Sequence, residues 1–163
     1  DYARTLTENA SRHVAGIPGW MEVAKALETA QIPLPLIYGH NDLLPANFLY
    51  ANNRVWLIDF EYSAYSTAMF DLAGLSSNAG FDRHQSLELL ILYFSSNPDA
   101  GLIQALEAMQ CASLLREAMW SMVSELFLKA PGVDYAAYTA NQLDAYSARL
   151  DDYQSRYGKI AKS

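Results

Sequence analysis

With 163 residues the chain is long enough for one domain with a sizeable core, since a domain of about 150 residues buries roughly 68 to 70% of the surface its unfolded chain exposes. Just over half of the residues are hydrophobic and 18% are charged, which argues against a disordered chain, and no apolar run is long enough to span a bilayer. The net charge of −7 and the thin spread of lysine and arginine leave no basic footprint for a phosphate backbone, so nucleic acid is excluded as a partner.

The single cysteine, Cys111, has no partner for an internal disulfide, and the histidines at 13, 40 and 84 lack metal-ligand spacing. A reducing cytoplasm fits this usage. The first residue is Asp1 rather than Met and no signal segment follows it, which reads as a fragment of a longer protein. Between Lys25 and Arg83 the only cationic residue is Arg54, against Glu28, Asp42, Asp59, Glu61, Asp71 and Asp82, so the middle third should attract cations.

Residues 4–30 read as helix broken near "GIPGW", and Pro33 with Pro35 then forces an extended approach. "NFLY" and "RVWLIDF" are short β candidates separated by "ANN", and asparagine tolerates left-handed turn geometry, so 48–60 reads as a hairpin. "FDLAGLSSNAG" begins with an aspartate suited to capping and ends in glycine, as a short helix would. Helices are expected at 84–95 and at 101–129, where Ile103, Leu106, Met109, Leu115, Met119, Met122 and Leu126 keep a helical period. After "APG" a last helix carries the stripe Tyr135, Tyr138, Leu143, Tyr146, Leu150 and Tyr153, whose simplest role is core packing. The expected fold class is mainly α (α+β), helical with a small β-hairpin.

The stretch "IYGHNDLLPANF" at 37–48 concentrates polar side chains between apolar flanks. His40, Asp42 and Asn47 are followed across the hairpin by Asp59-Phe60. This pattern suits phosphoryl transfer: Asp42 as the base that takes the proton of an attacking hydroxyl, Asn47 and Asp59 as ligands of Mg²⁺, and His40 as the brace of the loop. Oxygen-only ligands in small number suit Mg²⁺ rather than zinc.

"HNDLLPANFL" with "LIDFEYSAYSTAMFDLAGL", joined by the later "LREAMWSMV" and "VDYAAY", resembles the choline/ethanolamine kinase branch of the aminoglycoside-phosphotransferase-like kinases. The resemblance covers most of the chain and implies the C-terminal lobe of a protein-kinase-like fold, the lobe whose loops carry the catalytic and metal-binding residues. It implies ATP and Mg²⁺ as cofactors and a small cationic alcohol such as choline or ethanolamine as acceptor. Leu44 stands where many protein kinases carry a lysine, Glu61 replaces the glycine after Asp-Phe, and no APE-like segment follows, which favours a small molecule over a protein substrate.

The same resemblance places Glu61 and Tyr62 near the acceptor pocket, although Glu61 could equally pair with a neighbouring cation. It matches Trp120 to an indole that faces the substrate's ammonium group, with Glu117 at the other cage position and Tyr135 at a third. A carboxylate at 117 suits an ammonium with N–H groups and leaves ethanolamine or another amine-bearing alcohol open beside choline. Asn78 replaces an acidic residue of the eukaryotic relatives. Asp71 is expected to support the catalytic loop, to cap the helix it opens, or both.

Residues 1–36 contain no Gly-rich loop, and Lys25 lies in a helical pattern, so the N-terminal nucleotide-binding lobe is expected to be absent from this chain and to be its partner within the same protein. Two alternatives stay open: a related kinase acting on an aminoglycoside, thiamine or a sugar, and a non-catalytic binding domain with the same lobe. The oligomeric state is not readable from the sequence.

Overall fold

The computed structural model describes residues 1–160. Helix α1 covers Tyr2–Glu8 and α2 Ile17–Glu28, joined through a 3-10 turn at Val14–Gly16. Strand β1, Leu36–Gly39, leads through a 3-10 turn at Pro45–Asn47 into β2, Phe48–Ala51, and β3, Arg54–Leu57. Then come β4, Ala64–Thr67, and the helices α3, Ala68–Asn78, α4, Arg83–Phe94, α5, Ala100–Phe127, and α6, Tyr135–Tyr157. The structure is mainly helical with two small antiparallel sheets.

Two departures from the expected elements have local causes. The first break falls before "GIPGW", with Ala10 at φ 48°. "GIPGW" itself opens α2, because Pro18 lies in the first turn, where the missing N–H has no helical partner to lose. Asp71 is not the cap of α3: Thr67 holds that position and Asp71 lies inside the first turn.

The chain divides into two compact units, one formed by 30–113 and one by 1–29 with 114–163. In the 30–113 unit β2 pairs antiparallel with β3, Ala51 opposite Arg54, so the turn is the two-residue Asn52-Asn53. Both asparagines have positive φ, 52° and 59°, the geometry whose twist matches the flanking strands. The second pair, β1 with β4, aligns Tyr38 with Tyr65 and Gly39 with Ala64, and it brings the entry to the polar stretch beside the exit from the Asp59 loop.

The core of this unit is Met69, Leu72 and Ala73 of α3, Leu90 of α4, and Ala105 and Leu106 of α5, with Ile32, Leu34 and Ile37 packed against it. Each fully buried leucine or methionine side chain contributes about 1.5 to 3 kcal/mol. A polar tie crosses the same helices. Gln110, fully buried, donates through Nε2 to Ser76 Oγ at 2.7 Å and Ser86 Oγ at 3.1 Å. The two serine hydroxyls donate to the carbonyls of Ala73 and Asp82, which leaves them only as acceptors toward Gln110 and fixes the orientation of its amide. Arg83 adds a 2.9 Å ion pair with the buried Glu107.

In the other unit Leu6, Leu27, Met119, Met122, Tyr146 and Tyr153 are buried. Asp134 caps α6 by accepting from Ala137 N at 2.9 Å. Ser121 of α5 and Thr139 of α6 share a buried 2.8 Å hydroxyl bond. Among the described residues no helix is long and apolar enough to cross a membrane.

Candidate functional site

In the 30–113 unit, the polar stretch after β1 is held by bonds from both sides. The Asp71 carboxylate accepts from His40 N through Oδ2 and from Asn41 N through Oδ1, each at 2.7 Å. His40 is buried at 4% exposure. Its Nε2–H donates to Ile58 O at 2.9 Å and its Nδ1 accepts from Asp42 N at 3.3 Å, a pairing that selects one neutral tautomer. Its ring also packs on Phe60, centroids 4.6 Å apart. The imidazole thus touches the backbone just before Asp59, the aromatic ring just after it, and the backbone of Asp42.

Asn47, the last residue of its 3-10 turn and 7% exposed, donates through Nδ2 to Asp42 O at 2.9 Å. Its backbone carbonyl accepts from Ile58 N at 3.0 Å, tying the loop to the end of the hairpin. With Nδ2 engaged, Oδ1 is the amide atom that can meet a cation. Asp59 is exposed and adopts φ 66°, a left-handed conformation that aspartate tolerates better than most residues. A hard carboxamide oxygen and a hard carboxylate fit Mg²⁺, which keeps water and phosphate among its ligands. Among the described residues no group of three or more His, Cys, Asp and Glu forms a metal cage, and a site completed by phosphate oxygens does not require one.

Glu61 and Tyr62 are exposed in the turn after Asp59. Asn78 ends α3 with its amide 3.4 Å from Leu43 O, a long bond directed at the loop backbone beside Asp42.

The unit of 1–29 and 114–163 holds a second cluster. Glu117 and Trp120 lie on α5 and Tyr135 on α6, and the Trp120 and Tyr135 rings stand edge to face at 6.3 Å. Tyr138 completes it, at 6.4 Å from the indole and donating its hydroxyl to Glu117 Oε1 at 2.9 Å. Glu117 is 9% exposed. The cluster thus joins three aromatic rings to a buried carboxylate through the Tyr138 hydroxyl. Tyr138 was readable only as part of the stripe, one helical turn beyond Tyr135. Asn41 lay in the polar stretch without a separate signal.

The Choline/ethanolamine kinase family model matches residues 17–99, just over half of the chain. A "probable ethanolamine kinase" of Arabidopsis thaliana is 37% identical over 62 residues, 36% of this chain and 17% of that protein. A "probable ethanolamine kinase A" of Dictyostelium discoideum is 27% identical over 154 residues, 82% of this chain and 44% of that protein. The crystal structure of a choline/ethanolamine kinase family protein from Mesorhizobium loti superposes with a TM-score of 0.76 at 24% identity, over 93% of this chain and 55% of that one. The chain spans less than half the length of the curated relatives it matches. The fold is protein-kinase-like, and, with the family model matched through the polar stretch at 37–48, the hairpin and α3, the chain belongs to the choline/ethanolamine kinase family.

Proposed function

We propose that the protein carrying this chain is an ATP-dependent kinase that phosphorylates the hydroxyl of a small amino alcohol such as ethanolamine or choline. The observation that carries this reading is the set of bonds around Asp42. Its backbone is held by His40 and Asn47, and the residues before it by Asp71. A base that must meet an attacking hydroxyl works only if its position is set in advance, and this loop is set by neutral bonds within itself and by the Asp71 carboxylate reaching it from α3.

In the reaction so read, Asp42 takes the proton of the substrate hydroxyl as that oxygen bonds the γ-phosphorus, and the bond to the β-phosphate oxygen breaks to release ADP. Asn47 and Asp59 would hold Mg²⁺, whose charge offsets the negative charge on the phosphates. His40 positions the backbone of Asp42 and of the residue before Asp59. Glu61, Tyr62 and Asn78 are assigned to the acceptor side. Trp120, Tyr135 and Tyr138 are assigned the cationic end of the substrate. Glu117 can accept N–H bonds from a primary ammonium but none from a trimethylammonium, which supports ethanolamine over choline.

The 163 residues are assigned the C-terminal catalytic-loop and substrate-binding lobe. The lobe that covers the nucleotide phosphates is assigned to sequence outside them, and the setting to the cytoplasm, where ATP is the donor.

The test is Mg²⁺-dependent ADP release by the whole gene product with ethanolamine, choline, thiamine and an aminoglycoside, with Asp42→Asn as control. Turnover on an amino alcohol that collapses in the variant supports the reading. Turnover on thiamine or the aminoglycoside alone would move the acceptor, and failure to bind ATP would favour a non-catalytic domain.

A further inference from the structure

Asn41 stands between His40 and Asp42, and its backbone is left-handed at φ 62°. The Asp71 carboxylate holds it there through the 2.7 Å bond to its N–H. This conformation turns the side chain toward the segment after Asp59. Asn41 Nδ2 donates to Tyr62 O at 3.1 Å and to Ala64 O at 3.3 Å, while Oδ1 accepts from Ser66 Oγ at 2.7 Å. Two carbonyls can only accept, so the amide has one orientation that satisfies all three partners.

The packing around this amide is close. A Cβ on Gly39 would lie 2.6 Å from Ser66 Oγ, 2.9 Å from Asp71 Oδ2 and 3.1 Å from Asn41 Oδ1. On the other side of Asp59, His40 Nε2 holds the carbonyl of Ile58. Two consecutive side chains, both directly before Asp42, therefore grip the chain before and after Asp59. The backbone of Asp59 is left-handed, and a left-handed aspartate flanked by exposed residues needs such anchors to keep one position.

We infer that Asn41 is a positioning residue: its side-chain amide clamps residues 62–66 to the catalytic loop and so sets where Asp59 stands relative to Asp42. This inference rests on the reading of Asp59 as a metal ligand given above. The bonds of the amide go to this chain's own Tyr62, Ala64 and Ser66. Its effect passes through the carbonyls of Tyr62 and Ala64, and a displacement of about 1 Å at a reacting group lowers rate by as much as 100-fold.

Asn41→Gly separates the amide from the backbone, since glycine adopts positive φ freely and keeps the N–H that Asp71 holds. In the whole gene product, Asn41→Gly is expected to lower kcat at least 10-fold and to raise the Mg²⁺ concentration for half-maximal rate several-fold, with thermal unfolding nearly unchanged. Ser66→Ala, which removes one of three anchors, is expected to give a smaller change in the same direction. Hydrogen exchange of the amides at 59–66 should accelerate in Asn41→Gly while the rest of the 30–113 unit is unaffected. Unchanged exchange at 59–66 overturns the clamp. Faster exchange with unaltered kcat and Mg²⁺ dependence overturns its catalytic role. A wild type inactive on every acceptor removes the proposed function instead, and the clamp then stands or falls on the exchange alone.

Discussion

The carboxylate of Asp71 bridges two consecutive backbone amides, accepting from His40 N and Asn41 N at 2.7 Å each. It lies 31 positions from His40 in the chain, on the first turn of α3. One side chain thereby attaches the helix to the loop that carries Asp42. Bonds to a charged acceptor contribute more than neutral ones.

Asp71→Asn keeps the shape but offers one carbonyl oxygen where two carboxylate oxygens stood. One backbone N–H then faces an NH₂ group. The expected loss is about 1.5 to 3 kcal/mol, seen as a lower urea midpoint at unchanged slope. Enzymatic kcat should fall while the acceptor KM holds. An unchanged midpoint would mean that the two bonds contribute nothing to the folded state.

Gly39→Ala tests the closeness of the same site. The added methyl meets Ser66 Oγ at 2.6 Å and Asp71 Oδ2 at 2.9 Å, inside the limit of ordinary contacts. Overpacking of this kind costs about 1 to 3 kcal/mol. Ser66→Ala removes the shorter of those two contacts, so the double variant should be more stable than the sum of the single losses requires. Strictly additive losses in urea unfolding would show that the methyl is accommodated elsewhere.

The parts of the fold that were legible rest on local signals. Asn52-Asn53 marked the hairpin because left-handed turns select asparagine, and α5 was visible because its apolar period runs without an interior breaker. The break after α1 was misplaced because Ala10, with φ 48°, carries no signature of a turn, whereas "GIPGW" resembles one and starts a helix. Asp71 has the look of a cap in its own segment, yet its bonds go to residues some 30 positions away. The pairing of β1 with β4 and the clamp of Asn41 are likewise long-range, and no local pattern encodes them. The polar stretch itself was conspicuous because hydrogen-bonding side chains between apolar flanks need a reason to be there.

The aromatic cluster makes a prediction about selectivity. Trp120→Leu keeps bulk but removes the ring that faces Tyr135 and Tyr138. A cation over an aromatic face gains about 0.5 to 2 kcal/mol, so acceptor KM should rise by about 2- to 30-fold for choline and ethanolamine alike. Glu117→Gln should penalise ethanolamine more than choline, because only the primary ammonium donates N–H bonds to the carboxylate. Equal loss for both acceptors would assign Glu117 to holding Tyr138 and not the substrate.

Glu125 carries a pH dependence. Its carboxylate meets Arg12 at 2.9 Å and His13 Nε2 at 3.1 Å. Burial pushes the group up, but hydrogen bonds from Thr139, Arg12 and His13, with the charge of His13, outweigh burial and hold it below the usual glutamate range. The unfolded chain therefore takes up this proton more readily than the native one as the pH falls. The stabilisation is full above the ordinary glutamate value and disappears as the pH drops through the depressed native one. Glu125→Gln should accordingly be less stable than wild type near neutrality, and the gap should close on the acid side across that window. Urea midpoints of both proteins, taken from about pH 7 to about pH 3, measure this directly. A gap that stays constant over the acid range would show that the Arg12 and His13 contacts are not electrostatic in effect.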